Sequence, residues 1–151
     1  MLNITTFLDA NSKRLDKKVL YNPRSGEKYT SGEILSIVSE IGRQLKSKYV
    51  HEGDRVIIYL NNSCEYLFSL FAIWRIGAIP VPTNRIFTSS ELDYIIHDSQ
   101  AKLVITDDDA EDISIPTYIP KNIGEYKDCE VLDAFNTDWD DLCQLQYTSG
   151  T

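Results

Sequence analysis

The sequence predicts an α/β fold in which strands and helices alternate around a mainly parallel sheet. Short apolar runs rich in β-branched residues occupy residues 55–60 and 103–106, as expected for strands that are covered on both faces. Amphipathic segments with recognisable helix starts separate such runs. Strand, helix and strand follow one another at intervals of about two dozen residues, which is typical of right-handed βαβ crossovers.

The first fifty residues predict a hairpin followed by a helix. Residues 19–21 and 27–30 flank Pro-Arg-Ser-Gly at 23–26, and this turn composition between two extended runs favours a hairpin. Thr30-Ser31-Gly32-Glu33 has the pattern of a capping box, in which the hydroxyl and the carboxylate each satisfy an unpaired amide. The apolar residues that then recur at helical spacing predict one buried face, made of Ile34, Ile37, Val38, Ile41 and Leu45.

The central segment predicts the sheet and two further helices. A helix begins at Asn-Ser-Cys-Glu, residues 62–65, and ends at Gly77, which is predicted to form a left-handed cap. Residues 79–82 are extended, and their two prolines lack amide donors, so we expect a short strand or one at the edge of the sheet. A second capping box at 88–91 begins the next helix. Its predicted buried side comprises Leu92, Ile95 and Ile96.

The pattern weakens between residues 107 and 138, where we predict only a strand near Tyr118 and a helical turn near Glu125. It becomes clear again over residues 143–147, where apolar and polar side chains alternate, so we predict a strand with one polar face. There is no internal repeat, low-complexity tract or linker. Residues 1–151 are therefore expected to form one domain.

Composition excludes several classes of protein. The net charge of −8 opposes a nucleic-acid surface, which needs clustered lysines and arginines. There is no basic start followed by an apolar run, so no signal peptide is expected, and the most apolar stretch, residues 66–82, is too short and too interrupted to span a bilayer. Three scattered cysteines, Cys64, Cys129 and Cys143, are expected to be reduced, buried thiols in a cytoplasmic protein.

A phosphate-binding loop is the strongest chemical hypothesis from the residues alone. Thr148, Ser149, Gly150 and Thr151 follow the last predicted strand, and ligands of parallel α/β sheets bind beyond the carboxyl ends of the strands. Hydroxyls and unhindered amides suit phosphate oxygens. Taken alone, such a tetrapeptide is more often an ordinary turn. The P-loop pattern cannot be tested, because its second glycine and its lysine would follow Thr151.

Other reactive residue types favour ordinary structural roles. His51 lies in a polar turn, and His97 lies near a helix end, where a cation favours the dipole. Cys64 begins a helix, a position that can activate a thiol, but no base is predicted near it. A buried, unreactive thiol is therefore favoured over a reactive one. The acidic run at residues 107–112 lacks the spacing of a calcium loop and is expected to be a solvated loop. No catalytic residue and no metal ligand is predicted, and helical spacing predicts core positions for Tyr66, Phe71 and Trp74.

Several motifs occur together, in one order and at one spacing. Tyr-Thr-Ser-Gly-Glu-Ile at 29–34, Gly-Asp-Arg-Val at 53–56 and Asn-Asn-Ser at 61–63 resemble the first core motif, a strand and a helix start of the adenylate-forming (AMP-binding) superfamily. Residues 75–84 and 146–151 resemble its second core motif and the start of its third. The second departs from the family pattern at Arg75, Ile76 and Thr83, and none of these positions carries a reacting group.

This resemblance covers about residues 2–151, is weakest between 108 and 136, and implies a two-step reaction. A carboxylate attacks the α-phosphate of Mg²⁺-bound ATP, giving an acyl-adenylate and pyrophosphate, and a thiol of coenzyme A or of a phosphopantetheine carrier protein then displaces AMP. The candidate contacts to the ATP phosphates are Thr148, Ser149, Gly150 and Thr151. The rest of the loop, the adenine and acyl pockets and the C-terminal domain would follow, so residues 1–151 are expected to be an incomplete N-terminal subdomain, inactive alone.

Alternatives remain open at this stage. We favour a ligase for fatty or other organic acids over an amino-acid adenylation domain on the slight basis of Leu-Gln-Tyr at 145–147. A naturally short binding or scaffold module and a stand-alone flavodoxin-like nucleotide binder are the other hypotheses. Apolar surface meant for further subdomains is expected to be exposed, so self-association is also expected.

Overall fold

The computed structural model of the chain describes residues 3–12, 18–23, 25–108 and 112–148, and its elements follow the alternating order that the sequence predicts. None of the described helices is both long and apolar enough to cross a membrane. The elements are α1 (Thr6–Ser12), β1 (Lys18–Tyr21), β2 (Lys28–Thr30), α2 (Ser31–Ser47), β3 (Arg55–Tyr59), α3 (Cys64–Arg75), β4 (Ile79–Pro82), α4 (Ser89–Ser99), β5 (Leu103–Thr106), β6 (Thr117–Tyr118) and a 3₁₀ turn (Ile123–Tyr126).

The predicted hairpin is confirmed. Strands β1 and β2 pair antiparallel, and the Asn22 amide donates to the Glu27 carbonyl across the turn at 2.8 Å. Gly26 adopts φ +76°, a left-handed conformation that glycine enters without steric cost. Arg24, within the predicted turn, lies outside the described residues. The hairpin leads directly into α2, because β2 ends at Thr30, the residue that caps this helix.

Helix α2 begins with the predicted capping box. The Glu33 amide donates to Thr30 Oγ1 at 3.1 Å, and the Thr30 amide donates to Glu33 Oε2 at 2.7 Å. The predicted apolar face is buried at every position, from Ile34 to Leu45. A second capping box, between Thr88 and Glu91, begins α4 as predicted. Local side-chain chemistry therefore defines both helix starts.

The four-stranded sheet has the order β4-β3-β5-β6, and all of its neighbouring strands are parallel. The side chains of successive β3 residues pack into two hydrophobic cores, one on each face of the sheet. Val56 and Ile58 pack in the cluster formed with α2 and α3, whereas Ile57 packs with Val81 and the apolar residues of α4. Both faces of the sheet are therefore covered, as the continuous apolar strands predict, and the α/β fold class with a mainly parallel sheet is confirmed.

Strand β4 is an edge strand, as its prolines predict. Its inward amides pair with β3, since the Ile79 amide donates to the Asp54 carbonyl at 2.8 Å and the Thr83 amide to the Ile58 carbonyl at 3.0 Å. Pro80 and Pro82 occupy the alternate positions, whose backbone groups face away from β3. The missing proline donors therefore cost nothing within the sheet.

The predicted strand over residues 143–147 is wrong, although the chain there is extended. A backbone hydrogen bond to β4 runs from the Leu145 amide to the Pro80 carbonyl, at 3.1 Å. The physical reason lies in β4, because the outward positions Pro80 and Pro82 offer acceptors but no donors, so a full ladder cannot form. The predicted alternation still has a structural basis, since Leu145 and Tyr147 pack against the second core.

Helix α1 has no counterpart among the elements that the sequence predicts. Helix α1 is held against α3 by an ion pair between Asp9 of α1 and Arg75 of α3. The Arg75 side chain is 1% exposed and donates to both carboxylate oxygens of Asp9, at 3.0 and 2.8 Å. Arg75 Nε also donates to the Leu132 carbonyl at 2.5 Å. A helix of seven residues shows too little periodicity for detection, and its position depends on a tertiary ion pair.

The three cysteines differ in their surroundings. All three are free thiols; Cys64 is buried, Cys129 is half-buried and Cys143 is exposed. The expectation of reduced, buried thiols is therefore confirmed for Cys64 and wrong for Cys143. The exposed position of Cys143 follows from the extended segment, in which Leu145 and Tyr147 are the side chains that pack inward.

Candidate nucleotide site at the carboxyl edge of the sheet

A charged cluster joins the loops that follow β3, β4 and β5. Arg85, after β4, donates to Asp108 Oδ2 at 2.7 Å and lies 3.1 Å from Asp107 Oδ1, both after β5. Its guanidinium carbon stands 4.3 Å from the ring centroid of Tyr59, the last residue of β3. Asn61 Nδ2 completes the cluster by donating to Asp107 at 3.3 Å. The three loops therefore form one connected edge.

The charge of this cluster shows what it can and cannot bind. The hydrogen bond from Arg85 lowers the pKa of Asp108, so the carboxylate stays ionised beside the guanidinium. One cation and two carboxylates leave a net charge of −1. Because phosphate needs unpaired donors or cations, the cluster positions the loops and does not itself bind a nucleotide.

The segment with the predicted phosphate loop runs toward this same edge. The Cys143 carbonyl accepts from Trp74 Nε1, at 2.8 Å, near the end of α3, and the Leu145 amide then bonds to Pro80 within β4. The chain therefore passes along β4 in the direction of that strand. Thr148 follows this segment and is exposed.

Tyr147 anchors the residue that precedes Thr148. Its hydroxyl donates to Asp98 Oδ2, in the last turn of α4, at 2.6 Å. Burial, followed by this hydrogen bond, raises the pKa of Tyr147 to about 12, so the phenol remains a donor at neutral pH. The start of the loop is thereby tied to α4 through a protonated side chain.

The four predicted phosphate contacts are only partly within the described residues. Thr148 is exposed, and its contact with a phosphate stays a prediction. Ser149, Gly150 and Thr151 lie outside the described residues, so their predicted contacts stay predictions. The donor chemistry of Thr148 fits a phosphate oxygen, whereas the carboxylates of the neighbouring cluster do not.

The remaining candidates occupy the positions that their ordinary roles require. His51 is exposed, with Nδ1 2.8 Å from the Tyr49 carbonyl, and His97 is exposed at the end of α4, with Nδ1 2.8 Å from the Asp93 carbonyl. Burial raises the pKa of the Cys64 thiol, which disfavours the reactive thiolate. Tyr66, Phe71 and Trp74, predicted as core, are each only partly buried.

Sequence reasoning missed the partner of the acidic run. Asp107 and Asp108 are partly exposed, as a solvated loop predicts, but both pair with Arg85. The signal was present in the topology, since Arg85 follows one strand and Asp107 follows another of the same parallel sheet. Residues that follow the strands of one parallel sheet lie at the same edge of that sheet.

A parallel sheet covered by helices on both faces is the architecture in which α/β proteins bind ligands beyond the carboxyl ends of the strands. A family model described as AMP-binding enzyme matches residues 7–151. The chain belongs to this AMP-binding enzyme family.

Two curated relatives are similar to much of the chain. The 4-coumarate–CoA ligase 2 of Petroselinum crispum is 30% identical over 157 residues, which cover 93% of this chain and 29% of the relative. The 2-succinylbenzoate–CoA ligase of Geobacillus sp. (strain WCH70) is 33% identical over 129 residues, covering 82% of this chain and 26% of the relative. The chain therefore spans less than a third of these relatives' length.

Solved structures confirm the fold. The N-terminal domain of FACL13 from Mycobacterium tuberculosis superposes with a TM-score of 0.81 at 21% identity, over 99% of this chain and 42% of that one. At this identity the likeness establishes the architecture and nothing about ligands. The strand and helix arrangement of this chain is thus that of the N-terminal part of adenylate-forming enzymes.

Proposed function

We propose that residues 1–151 form the N-terminal subdomain of an AMP-forming ligase that joins a carboxylic acid to a thiol. The observation that carries the proposal is the family match over residues 7–151. Support also comes from Thr148, which is exposed and follows the segment that bonds to β4 through Leu145. The whole protein would be a cytoplasmic enzyme in which this subdomain contributes phosphate contacts and the rest of the polypeptide contributes the catalytic residues.

In the proposed reaction, the side chains of this subdomain hold the ATP phosphates. Thr148, Ser149 and Thr151 would donate hydroxyl and amide hydrogens to the β- and γ-phosphate oxygens, and Gly150 would let the backbone approach without a Cβ. Donors aimed at these oxygens stabilise the charge that gathers on the departing pyrophosphate. Bound Mg²⁺ would neutralise part of the same charge.

The names of the two relatives support a proposal for the acid substrate and the acceptor. Both relatives are named for joining an organic carboxylate, coumarate or succinylbenzoate, to CoA. This favours an organic or fatty acyl acid with CoA as acceptor over an amino acid bound for a carrier protein. The acyl-adenylate would form first, and the CoA thiol would then displace AMP.

A chimeric enzyme tests the proposal. Residues 7–151 would replace the matching segment of the parsley 4-coumarate–CoA ligase 2, with 4-coumarate as the acid, because the family resemblance places the acyl pocket after Thr151. We expect AMP, pyrophosphate and the CoA thioester in equal amounts, with the unaltered ligase as control. A folded chimera that releases ADP, or that makes no thioester, would contradict the proposal.

Single substitutions then test the phosphate contacts. Ser149→Ala and Thr148→Val in the chimera remove hydroxyl donors, and we expect kcat/KM for ATP to fall by about tenfold or more. The KM for CoA in the second step should stay unchanged. A variant that weakens CoA use and leaves ATP use intact would show that these residues do not contact the ATP phosphates.

A further inference from the structure

A second concave site lies at the opposite, amino edge of the sheet. Its volume is about 720 Å³, within the range of small-molecule pockets. Four chain segments that are distant in sequence enclose it: residues 3–4, 52–53, 74–79 and 135–143. The proposed phosphate chemistry does not use this cavity, since Thr148 is not among the residues that line it.

Hydrogen bonds between distant segments fix the floor of the cavity. Asn3 is 6% exposed, and its Nδ2 donates to the carbonyls of Trp74, at 2.8 Å, and Phe135, at 2.9 Å. The Phe135 amide donates to the Arg75 carbonyl at 2.8 Å, and Trp74 Nε1 donates to the Cys143 carbonyl. The walls are therefore held in place by the protein itself, without a ligand.

Aromatic and aliphatic side chains line the cavity and remain open to solvent. Trp139 is 88% exposed, and Leu142 and Ile4 are also among the exposed large apolar residues. Trp74 and Phe135, which are half-buried, also line the cavity. Trp139 therefore exposes almost its whole indole ring beside a preformed cavity. A ligand with an apolar part would bury such a ring.

The charges around the cavity are of one sign. Glu52, Asp138 and Asp141 line it, and none of the described residues that line it is a lysine or an arginine. Asp141 Oδ2 accepts from the Asp138 amide at 2.7 Å, which closes a turn with Trp139 between the two carboxylates. A cation is attracted both by carboxylates and by the face of an indole. Nucleotides and CoA are negatively charged, so the carboxylates would repel them.

We propose that this cavity binds a small organic cation, an ammonium or guanidinium group attached to an apolar or aromatic body. The positive group would lie between Trp139 and the carboxylates of Glu52 and Asp138, and the apolar body would rest against Trp74 and Phe135. Because Thr148 is not among the residues that line the cavity, the ligand would not compete with the nucleotide for that contact.

Tryptophan fluorescence tests the proposal directly, because the chain has two tryptophans and both line the cavity. The 151-residue chain would be titrated with phenethylamine, phenethyl alcohol and phenylacetate, which share an aromatic ring and differ in charge. We expect saturable binding of phenethylamine, about tenfold tighter than the alcohol, and none of phenylacetate. Equal affinity for amine and alcohol, or tighter binding of phenylacetate, would overturn the proposal.

Matched variants locate the binding. Trp139→Ala removes an exposed ring that the fold does not need, and it should weaken phenethylamine binding about tenfold, with Trp74 left as the reporter. Glu52→Gln and Asp138→Asn should each weaken the amine several-fold and leave the alcohol unchanged. Tyr94→Ala, which removes an exposed aromatic ring that does not line the cavity, is the control. Unchanged amine affinity in Trp139→Ala would also overturn the proposal.

Discussion

Two glycines with the same backbone conformation provide a sharp test of the packing around the amino edge. Gly53 has φ +74° and Gly77 has φ +78°. A Cβ at Gly53 would meet no heavy atom within 4 Å, whereas a Cβ at Gly77 would lie 2.4 Å from Phe135 Cδ1. Alanine at either position carries the left-handed strain, but only Gly77→Ala must also displace the Phe135 ring.

The expected magnitudes follow from these distances. A left-handed alanine costs about 1 kcal/mol of unfolding free energy, so Gly53→Ala should lose about that much. In Gly77→Ala the half-buried ring of Phe135 must also move out of its contacts, which costs about 2 kcal/mol more in lost apolar burial and repacking. We therefore expect a total near 3 kcal/mol, or a melting temperature lower by roughly 10 °C.

Urea unfolding of the single and double variants separates the two contributions. In a Phe135→Ala background the ring is absent, so Gly77→Ala should then cost only about 1 kcal/mol, like Gly53→Ala. The difference of about 2 kcal/mol is the coupling between Gly77 and Phe135. Equal losses for Gly53→Ala and Gly77→Ala, or no coupling in the double variant, would refute this reasoning.

Three further perturbations have definite expected outcomes. Thr30→Ala removes the cap of α2 and should cost about 1 kcal/mol in urea unfolding, whereas Thr30→Ser should cost much less; equal losses would contradict the capping role. Arg85→Gln should raise the pKa of Asp108, measured by NMR. Because the pKa of Asp108 is lowered in the folded protein, the pair adds stability that is lost as the pH falls through that pKa. The variant should therefore lose less than about 1 kcal/mol of unfolding free energy at neutral pH, and its stability should depend less on acid. An unchanged pKa of Asp108 would show that the pair does not form. Ile86→Ser, which removes an exposed apolar side chain outside the cavity, should weaken the self-association that sedimentation is expected to show, and a monomer at all concentrations would contradict this expectation.

The elements that the sequence predicts correctly are those defined by local chemistry. The two capping boxes, at Thr30 and Thr88, mark helix starts within four residues of sequence. The continuous, β-branched apolar residues of β3 and β5 predict strands covered on both faces, because helices on each side of a parallel sheet bury every side chain of such a strand. The prolines of β4 predict its edge position for the same local reason.

The features that sequence reasoning misses depend on distant partners. Helix α1 is held by the pair between Asp9 and Arg75, two residues whose proximity no local pattern shows. The strand expected over residues 143–147 is lost because its partner edge has Pro80 and Pro82, so local alternation predicts the packing of Leu145 but not the ladder. The aromatic and acidic cavity combines four distant segments and leaves no local signal. Of the predicted phosphate contacts, the described residues include Thr148 alone.

The most direct test of the central claim is exchange of radioactive pyrophosphate into ATP by the chimera that carries residues 7–151, measured without any thiol. This isolates the first half-reaction, in which the phosphate contacts act. The account predicts exchange that requires the carboxylic acid and that falls by about tenfold or more in Ser149→Ala. The unaltered ligase serves as the control and should exchange normally. A folded chimera that shows no exchange, or exchange without the acid, would then contradict the account.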